Sequence, residues 1–216
     1  MDKRFAIFDM DGTLVDSMVY WKHLAAEFLK SKGVQEVSPT VLERIKPMTM
    51  TESAALFIEE YGLPGTPESV AAEMNAMMDE HYRRDIPLKP GVSAYLEALQ
   101  RKGVAMCVAS ATAEELMDAC LTRLGVAHCF SFLLSCEAVG VGKNRPAVYL
   151  EAAKRFGAQP EDIAVYEDAL YAAETAKRAG FYTVAVRDDS SQPHWETLTA
   201  LADEVIPDWL TAAQTL

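Results

Sequence analysis

The stretch FAIFDMDGTLVDS, Phe5 to Ser17, gives the clearest structural signal in this sequence. It begins with four apolar residues, Phe5 to Phe8, a pattern typical of a strand buried on both faces of a parallel sheet. Asp9 and Asp11 follow, and Gly12 then favours a tight turn. Alternate side chains of an extended chain share a face, so we expect the two carboxylates to lie together beyond the strand. In open α/β sheets ligands bind at this edge; the simpler alternative is a strand that ends in a capping Asp and a glycine turn.

The composition is that of a folded globular protein. The 216 residues are 50% hydrophobic and 24% charged, which suffices for one large core or for a core domain with a smaller insert. A formal net charge of −12 argues against nucleic acid and against an anionic membrane as partners, because both require a basic surface. A phosphate-bearing ligand remains compatible with this charge, because a bound cation and one lysine reverse the sign locally.

The cysteines and the amino-terminal residues bear on location. Cys107, Cys120, Cys129 and Cys136 show no CxxC spacing, so we interpret them as thiols in a reducing compartment rather than as disulfides or a zinc site. The apolar run before Asp9 is too short for a signal peptide, and no later run is long enough to span a membrane. We therefore predict a cytoplasmic protein, and we expect a monomer or a weak homodimer.

The chain after the first strand divides into two patterns. Residues 17–87 show apolar residues at helical spacing, and Thr49 with Glu52 has the spacing of a capping box. From Pro87 onward, short apolar runs alternate with helical patterns, as in βα repeats. We predict an α/β fold: a Rossmann-like parallel sheet with helices on both faces, formed by residues 1–16 and 88–216, and a small inserted α-helical cap domain at residues 17–87. Such a cap can admit substrate and then exclude water.

Ser110 and Lys143 lie at positions comparable to Asp9, next to predicted strand ends or helix starts. Ser110 lies between a strand and a helix, where hydroxyl and N–H groups suit an anion, and Thr112 with Glu115 has capping-box spacing. Lys143 ends the stretch GVGK, which lacks the third glycine of a dinucleotide fingerprint and the spacing of a P-loop. Each of these residues alone has a simpler interpretation, a chain turn for Ser110 and a solvated side chain for Lys143.

Glu167 and Asp168 form a second acidic pair at a predicted strand tip. Together with Asp9 and Asp11 they bring four carboxylates to one edge of the sheet, where they would repel one another without a cation. Ligands that are all oxygen point to a hard cation, and Mg²⁺ fits best when phosphate oxygens complete its shell. The sequence therefore predicts Mg²⁺ as the cofactor.

Taken in order, these motifs resemble those of the haloacid dehalogenase superfamily. The matching residues are Asp9-Met10-Asp11-Gly12-Thr13, then Ser110, then Lys143, then Glu167-Asp168. More narrowly, the chain resembles the branch with a helical cap after the first motif, which includes beta-phosphoglucomutases and many small-metabolite phosphatases. The resemblance covers essentially the whole chain.

The resemblance implies a catalytic or binding role for five residues. Asp9 is then the nucleophile that forms an aspartyl-phosphate, and Asp11 is the general acid and base. Ser110 and the backbone N–H of Ala111 bind phosphoryl oxygens, and Lys143 neutralises charge shared by the phosphate and Asp9. An acid at position 11 favours phosphate esters over the substrates of dehalogenases and phosphonatases in this superfamily.

The resemblance also implies how the metal is held. The ligands of Mg²⁺ are then the Asp9 carboxylate, the Asp11 backbone carbonyl and Asp168, with Glu167 contributing directly or through water. Asn144 and Arg145 follow the third motif's lysine where the family usually has a proline after it. Lys46 and Arg145 are the two further cations that could reach a substrate, and a surface position is the simpler interpretation of each.

We predict a Mg²⁺-dependent phosphatase that acts on a small phosphorylated metabolite such as a sugar phosphate. The alternative is a phosphosugar mutase of the beta-phosphoglucomutase type. The mutases that this chain resembles carry a histidine at the place of Trp21, an arginine near Met50 and a Lys-Asn pair at Ala113-Glu114. Those groups hold a second phosphate, so their absence favours hydrolysis. A non-catalytic binding module is disfavoured because both aspartates of the first motif are retained.

Overall fold

The computed structural model describes residues 2–216 and shows one six-stranded parallel sheet. The strand order is β3-β2-β1-β4-β5-β6, with β1 in the interior between β2 and β4. The strands are β1 (Phe5–Phe8), β2 (Ala105–Ser110), β3 (Phe132–Ser135), β4 (Ile163–Glu167), β5 (Tyr182–Val186) and β6 (Glu204–Ile206).

Eleven α-helices accompany the sheet within residues 2–216. Five lie between β1 and β2: α1 (Met18–Ser31), α2 (Pro39–Ile45), α3 (Met50–Tyr61), α4 (Pro67–Arg84) and α5 (Val92–Arg101). The others are α6 (Glu114–Arg123), α7 (Cys136–Val139), α8 (Ala147–Phe156), α9 (Leu170–Arg178), α10 (Trp195–Leu201) and α11 (Trp209–Thr215).

The first strand is buried on both faces, as its apolar run predicts. Ile7 packs into a cluster that includes Tyr149 of α8, whereas Ala6 and Phe8 pack into a second cluster that includes Tyr95 of α5. Because successive strand residues point to opposite faces, these two clusters are the two sides of the sheet, and each is covered by helices. The predicted α/β class with helices on both faces is therefore confirmed.

The apolar residues of α1 to α4 belong to the same buried cluster as one side of the sheet. The predicted capping box is present, because Thr49 accepts from the Glu52 N–H and Glu52 accepts from the Thr49 N–H. The domain division at residues 17–87 remains a prediction, although α1 to α4 span residues 18–84 and contain no strand.

The two chain crossings that flank this helical segment pair with each other. The Asp16 N–H donates to the Pro87 carbonyl at 3.0 Å, and the Lys89 N–H donates to the Leu14 carbonyl at 3.0 Å. Val15 and Leu88 form an antiparallel bridge between them. The two connections between the segment and the sheet thus run side by side as one short two-stranded ladder, next to the first acidic motif.

The carboxyl-terminal elements β6, α10 and α11 were not predicted, because β6 has three residues and shows no long apolar run. Helix α11 nevertheless supports the first motif. The Trp209 indole N–H at the start of α11 donates to the Thr13 carbonyl at 3.0 Å, and its ring packs on Tyr95 and Tyr166.

Cys107, Cys120, Cys129 and Cys136 are buried free thiols, while the reducing compartment inferred from them remains a prediction. No helix within residues 2–216 is both long enough and apolar enough to cross a bilayer.

Candidate active site

Three carboxylates meet beyond the carboxyl ends of two neighbouring strands. Asp9 follows β1, while Glu167 and Asp168 lie at the end of β4, and the two strands pair so that Phe8 lies beside Tyr166. One oxygen from each of the three carboxylates lies within 4.8 Å of the others, and all three residues are buried. Parallel register therefore brings together the acidic motifs that are far apart in sequence.

Lys143 supplies the positive charge beside these carboxylates. Its ammonium donates to Asp9 Oδ1 and, at 2.7 Å, to Glu167 Oε1. Among residues 2–216 it is the one lysine or arginine that is buried. The Tyr149 hydroxyl of α8 also donates to Glu167 Oε1 at 2.7 Å, and it was not foreseen from the sequence because a buried tyrosine on a helix gives no signal of its own.

The negative charge in this cluster exceeds the positive charge. Burial raises the pKa of Glu167 to about 7 against the pull of Lys143, and burial together with the neighbouring Asp9 and Glu167 charges raises the pKa of Asp168 well above its usual value. Burial likewise raises the pKa of Asp9. Burial opposes the charge of Lys143, but the carboxylates outweigh it and raise the pKa of that ammonium. Three convergent carboxylates with one ammonium fit a hard divalent cation, which prefers oxygen ligands.

The first-motif turn closes tightly around Asp168. Gly12 has a φ of +83°, and a Cβ placed on it would lie 2.6 Å from Asp168 Oδ2. Thr13 donates through its hydroxyl to Asp168 Oδ1 at 3.3 Å. A glycine is needed here both for the left-handed backbone and for the close approach of the carboxylate.

The Asp11 side chain is not a member of the three-carboxylate cluster and is held by hydroxyl groups instead. Its Oδ1 accepts from Ser17 Oγ at 2.6 Å and from Tyr82 Oη at 2.6 Å. Its Oδ2 accepts from Thr112 Oγ1 at 2.6 Å and, weakly, from Ser110 Oγ at 3.4 Å. The structure thus brings Asp11 and Ser110 together, while the metal role predicted for Asp11 concerns only its backbone carbonyl.

Thr112 makes hydrogen bonds other than those that its spacing predicts. The capping box predicted for Thr112 and Glu115 is wrong, because α6 begins at Glu114 with Ala113 at the cap position and no side-chain cap bond. The Thr112 hydroxyl donates to Asp11, and its backbone N–H donates to Ser110 Oγ at 3.1 Å. Ala111 lies half-buried between Ser110 and Thr112.

The inserted helices reach Asp11 through an aromatic pair. Tyr82 of α4 is fully buried, and its hydroxyl accepts from the Trp21 indole N–H of α1 at 2.9 Å. Burial, and secondly the Asp11 charge, raise the pKa of Tyr82 well above its usual value, so this phenol keeps its proton. Sequence reasoning noticed Trp21 only as a departure from the mutases and did not single out Tyr82, which resembles any buried aromatic residue.

The loop before α3 and the first turn of α3 contact α7 and the loop that carries Lys143. The Gly142 N–H donates to Glu52 Oε2 at 3.1 Å, and the Thr51 N–H donates to Glu137 Oε1 at 2.9 Å. A Cβ on Gly142 would lie 1.9 Å from the Pro47 carbonyl oxygen. The helical segment therefore covers this part of the sheet edge, and the glycine before Lys143 allows the two backbones to meet.

Lys46 and Arg145 lie away from the buried cluster. The Lys46 ammonium is exposed and pairs with Glu43 at 2.6 Å, while its backbone carbonyl accepts from Tyr171 at 2.8 Å. The Arg145 side chain is exposed. Both positions agree with the simpler surface interpretation.

The sequence of this chain matches a known protein family and several characterised relatives. The sequence model described as haloacid dehalogenase-like hydrolase matches residues 6–186. The bifunctional riboflavin kinase/FMN phosphatase of Arabidopsis thaliana is 30% identical over 205 residues, which cover 93% of this chain and 52% of that protein. This chain thus spans about half the length of that relative. Hexitol phosphatase B of Escherichia coli (strain K12) is 27% identical over 192 residues, which cover 87% of this chain and 85% of that protein.

The fold also matches a solved structure. CbbY from Rhodobacter sphaeroides in complex with phosphate superposes with a TM-score of 0.82 at 21% identity, and the match covers 99% of this chain and 100% of that one. The family match spans the carboxylate cluster, Ser110 and Lys143. The predicted enzyme class, a phosphoric monoester hydrolase, is confirmed by the relatives that are named as phosphatases. The chain belongs to the haloacid dehalogenase-like hydrolase family, as its four ordered motifs predict.

Proposed function

We propose that this enzyme is a Mg²⁺-dependent phosphatase that hydrolyses a small phosphorylated metabolite through an aspartyl-phosphate on Asp9. The observation that carries the proposal is the meeting of Asp9, Glu167 and Asp168 within 4.8 Å, beside the buried Lys143 ammonium. Phosphoryl transfer depends mainly on positioning and on neutralising the charge of the transferred group, and this cluster supplies the groups for both.

The residues that would hold Mg²⁺ are the Asp9 carboxylate, the Asp168 carboxylate and the Asp11 backbone carbonyl, with Glu167 binding directly or through water. When bound, the ion would neutralise charge on the phosphoryl oxygens. Thr13 supports this set, because its hydroxyl holds one oxygen of Asp168.

Asp9 is the proposed nucleophile, and Lys143 assists it. A carboxylate must be ionised to attack phosphorus, and the ammonium that donates to Asp9 favours the ionised form. In the first step an Asp9 oxygen bonds to phosphorus while the bond from phosphorus to the ester oxygen breaks. Attack of water on the phosphorus then restores Asp9 and releases inorganic phosphate.

Asp11 is the proposed general acid and base. It gives a proton to the departing alcohol oxygen in the first step, and it takes a proton from the attacking water in the second. Ser110, whose hydroxyl lies 3.4 Å from Asp11, and the Ala111 N–H would bind the phosphoryl oxygens between the two aspartates.

The charges favour a substrate with one phosphate and an otherwise neutral body. Lys143 is the one buried cation among residues 2–216, and it is committed to Asp9 and Glu167. A bisphosphate intermediate would need a second buried cation, so the mutase alternative is disfavoured. The names hexitol phosphatase and FMN phosphatase, which belong to two relatives, support a small phosphorylated metabolite as the substrate class.

The test is phosphate release from a panel of hexitol, sugar and glycerol phosphates, nucleotides and FMN, measured with Mg²⁺ and with a chelator. We expect Mg²⁺-dependent release from neutral-bodied monophosphates, and we expect Asp9→Asn to abolish release from every compound. Retained activity in that variant would refute the nucleophile. With a hexose 1-phosphate, accumulation of an isomeric sugar phosphate in place of free phosphate would favour the mutase.

A further inference from the structure

The Tyr82 hydroxyl donates its hydrogen bond to Asp11. The Trp21 indole N–H can only donate, so Tyr82 Oη must accept from it at 2.9 Å. The single phenolic proton is then available to Asp11 Oδ1, which lies 2.6 Å away. The Tyr82 and Thr112 hydroxyls are also 3.2 Å apart, and Thr112 directs its own proton to Asp11 Oδ2 at 2.6 Å.

The backbone that carries Tyr82 is fixed to the sheet domain. Arg123 of α6 donates through Nε to the Tyr82 carbonyl at 3.0 Å and through its guanidinium to the Ile86 carbonyl. The first bond satisfies a carbonyl in the last turn of α4, which has no partner within the helix, and the second satisfies a carbonyl just beyond the end of α4. The phenol is therefore held at both ends, by Arg123 through the backbone and by Trp21 through the hydroxyl.

The two carboxylate oxygens of Asp11 therefore accept hydrogen bonds from different parts of the chain. Oδ1 accepts from Tyr82 in α4 and from Ser17 just before α1, whereas Oδ2 accepts from Thr112 in the loop after β2. Three short bonds to one carboxylate define the plane of that carboxylate. A group that transfers protons in the transition state must be held in such a fixed position.

We propose that Tyr82 is a positioning residue that sets the orientation of Asp11 for proton transfer to the leaving oxygen, with Trp21 fixing the phenol. This inference rests on the proposed function, because it takes Asp11 as the proton donor. Its consequence is selective: Tyr82 matters for esters of alcohols, whose oxygen needs a proton to depart. It matters little for aryl phosphates whose phenolate departs without one.

The test compares Tyr82→Phe with the unmodified enzyme on two substrates, p-nitrophenyl phosphate and the alkyl phosphate that is turned over fastest in the panel above. The measured quantity is kcat/KM, which covers the steps through formation of the aspartyl-phosphate. For the alkyl phosphate we expect a fall of about 10-fold to 100-fold, part of what a general acid contributes. For the aryl phosphate we expect a fall of less than about 3-fold, because no proton is required.

Two further variants complete the comparison. Tyr61→Phe is the matched control, because Tyr61 is a tyrosine of the same inserted segment whose hydroxyl accepts from the Ser38 N–H; it should leave both rates unchanged. Trp21→Phe keeps the phenol but removes its fixing donor, so it should show the same selectivity to a smaller degree. It also tests the inference if Tyr82→Phe fails to fold.

The outcomes separate the inference from the function on which it rests. Equal losses on both substrates, or no loss, in Tyr82→Phe and in Trp21→Phe would overturn the positioning role. Asp11→Asn must itself lose far more activity on the alkyl phosphate than on the aryl phosphate. If it does not, the acid role of Asp11 fails and the inference about Tyr82 fails with it, whereas the phosphatase proposal is tested separately by phosphate release and Asp9→Asn.

Discussion

The metal-free protein should become less stable as the pH rises from about 5 to about 7.5, since its buried acids lose protons over that range. Glu167 has a folded pKa of about 7, against 4.5 as its ordinary value, because of burial. Between those two values the folded state binds more protons than the unfolded state does. The free energy of unfolding therefore falls with rising pH, and the loss is complete above the folded pKa.

The magnitude follows from the size of the shift. A rise in the pKa of Glu167 from 4.5 to about 7 corresponds to a loss of about 3 kcal/mol, at about 1.4 kcal/mol per pH unit. Asp168 has a pKa that burial and the neighbouring acids raise well above its usual value, so it adds to the fall. Mg²⁺ should oppose it, because the ion binds the deprotonated carboxylates and so stabilises the folded state more at higher pH.

The assay is urea unfolding followed by tryptophan fluorescence, in a chelator and in excess Mg²⁺, at several pH values between about 5 and about 7.5. Glu167→Gln should flatten the pH dependence in the chelator, whereas Glu36→Gln, at an exposed position, should leave it unchanged. A free energy of unfolding that stays constant or rises with pH in the chelator would refute the account of the cluster. Stabilisation by Mg²⁺ that does not grow with pH would refute the ligand assignment.

Two substitutions test how the first motif is built. Gly12→Ala should destabilise the fold by at least about 1 kcal/mol, because an L-residue there has a strained backbone, and its Cβ would displace Asp168 and weaken Mg²⁺ binding in a calorimetric titration. Equal Mg²⁺ affinity in that variant would show that Asp168 does not hold the ion. Trp209→Phe leaves the buried Thr13 carbonyl without its donor and should cost about 1–3 kcal/mol in urea unfolding. Trp195→Phe, at a half-buried tryptophan in α10, is the control and should cost less.

The acids, Lys143 and Ser110 could be predicted from the sequence, whereas the contacts of Tyr82 and Thr112 could not, and the reason is chemical. Acids at two strand tips, a lysine after glycines and a serine before a helix are rare enough in combination to be noticed. Parallel strand register then brings such residues to one edge without any further information. The fold class could be predicted for the same reason, from apolar runs that alternate with helical periodicity.

The positions of Tyr82 and Thr112 beside Asp11 depend on tertiary contacts that no local sequence pattern reveals. Tyr82 lies near the end of a long helix, and its position beside Asp11 follows only from the packing of α4 against α6 and from Arg123. Thr112 has capping-box spacing, but its hydroxyl donates to Asp11 and does not cap α6. The spacing alone therefore gave a wrong prediction. The strand β6 and the helix α11 were not predicted because a strand of three residues and a helix of seven carry little periodic signal.

Asp9 and Asp11 lie in one short motif but in different surroundings, and these surroundings fit the different chemistry proposed for each. Asp9 is buried beside an ammonium and two further acids, an environment that suits an ionised nucleophile next to a cation. The donors that the structure records for the Asp11 side chain are all neutral hydroxyls, which orient a carboxylate without contributing a full positive charge. A group that must both give and accept a proton in one reaction cycle is served by such neighbours, since a lysine at the same place would favour the ionised form in both steps. The proposed division of roles therefore rests on the surroundings of the two aspartates. Those of Asp9 are built from strand ends, and those of Asp11 are shared between the inserted helices and the loop after β2.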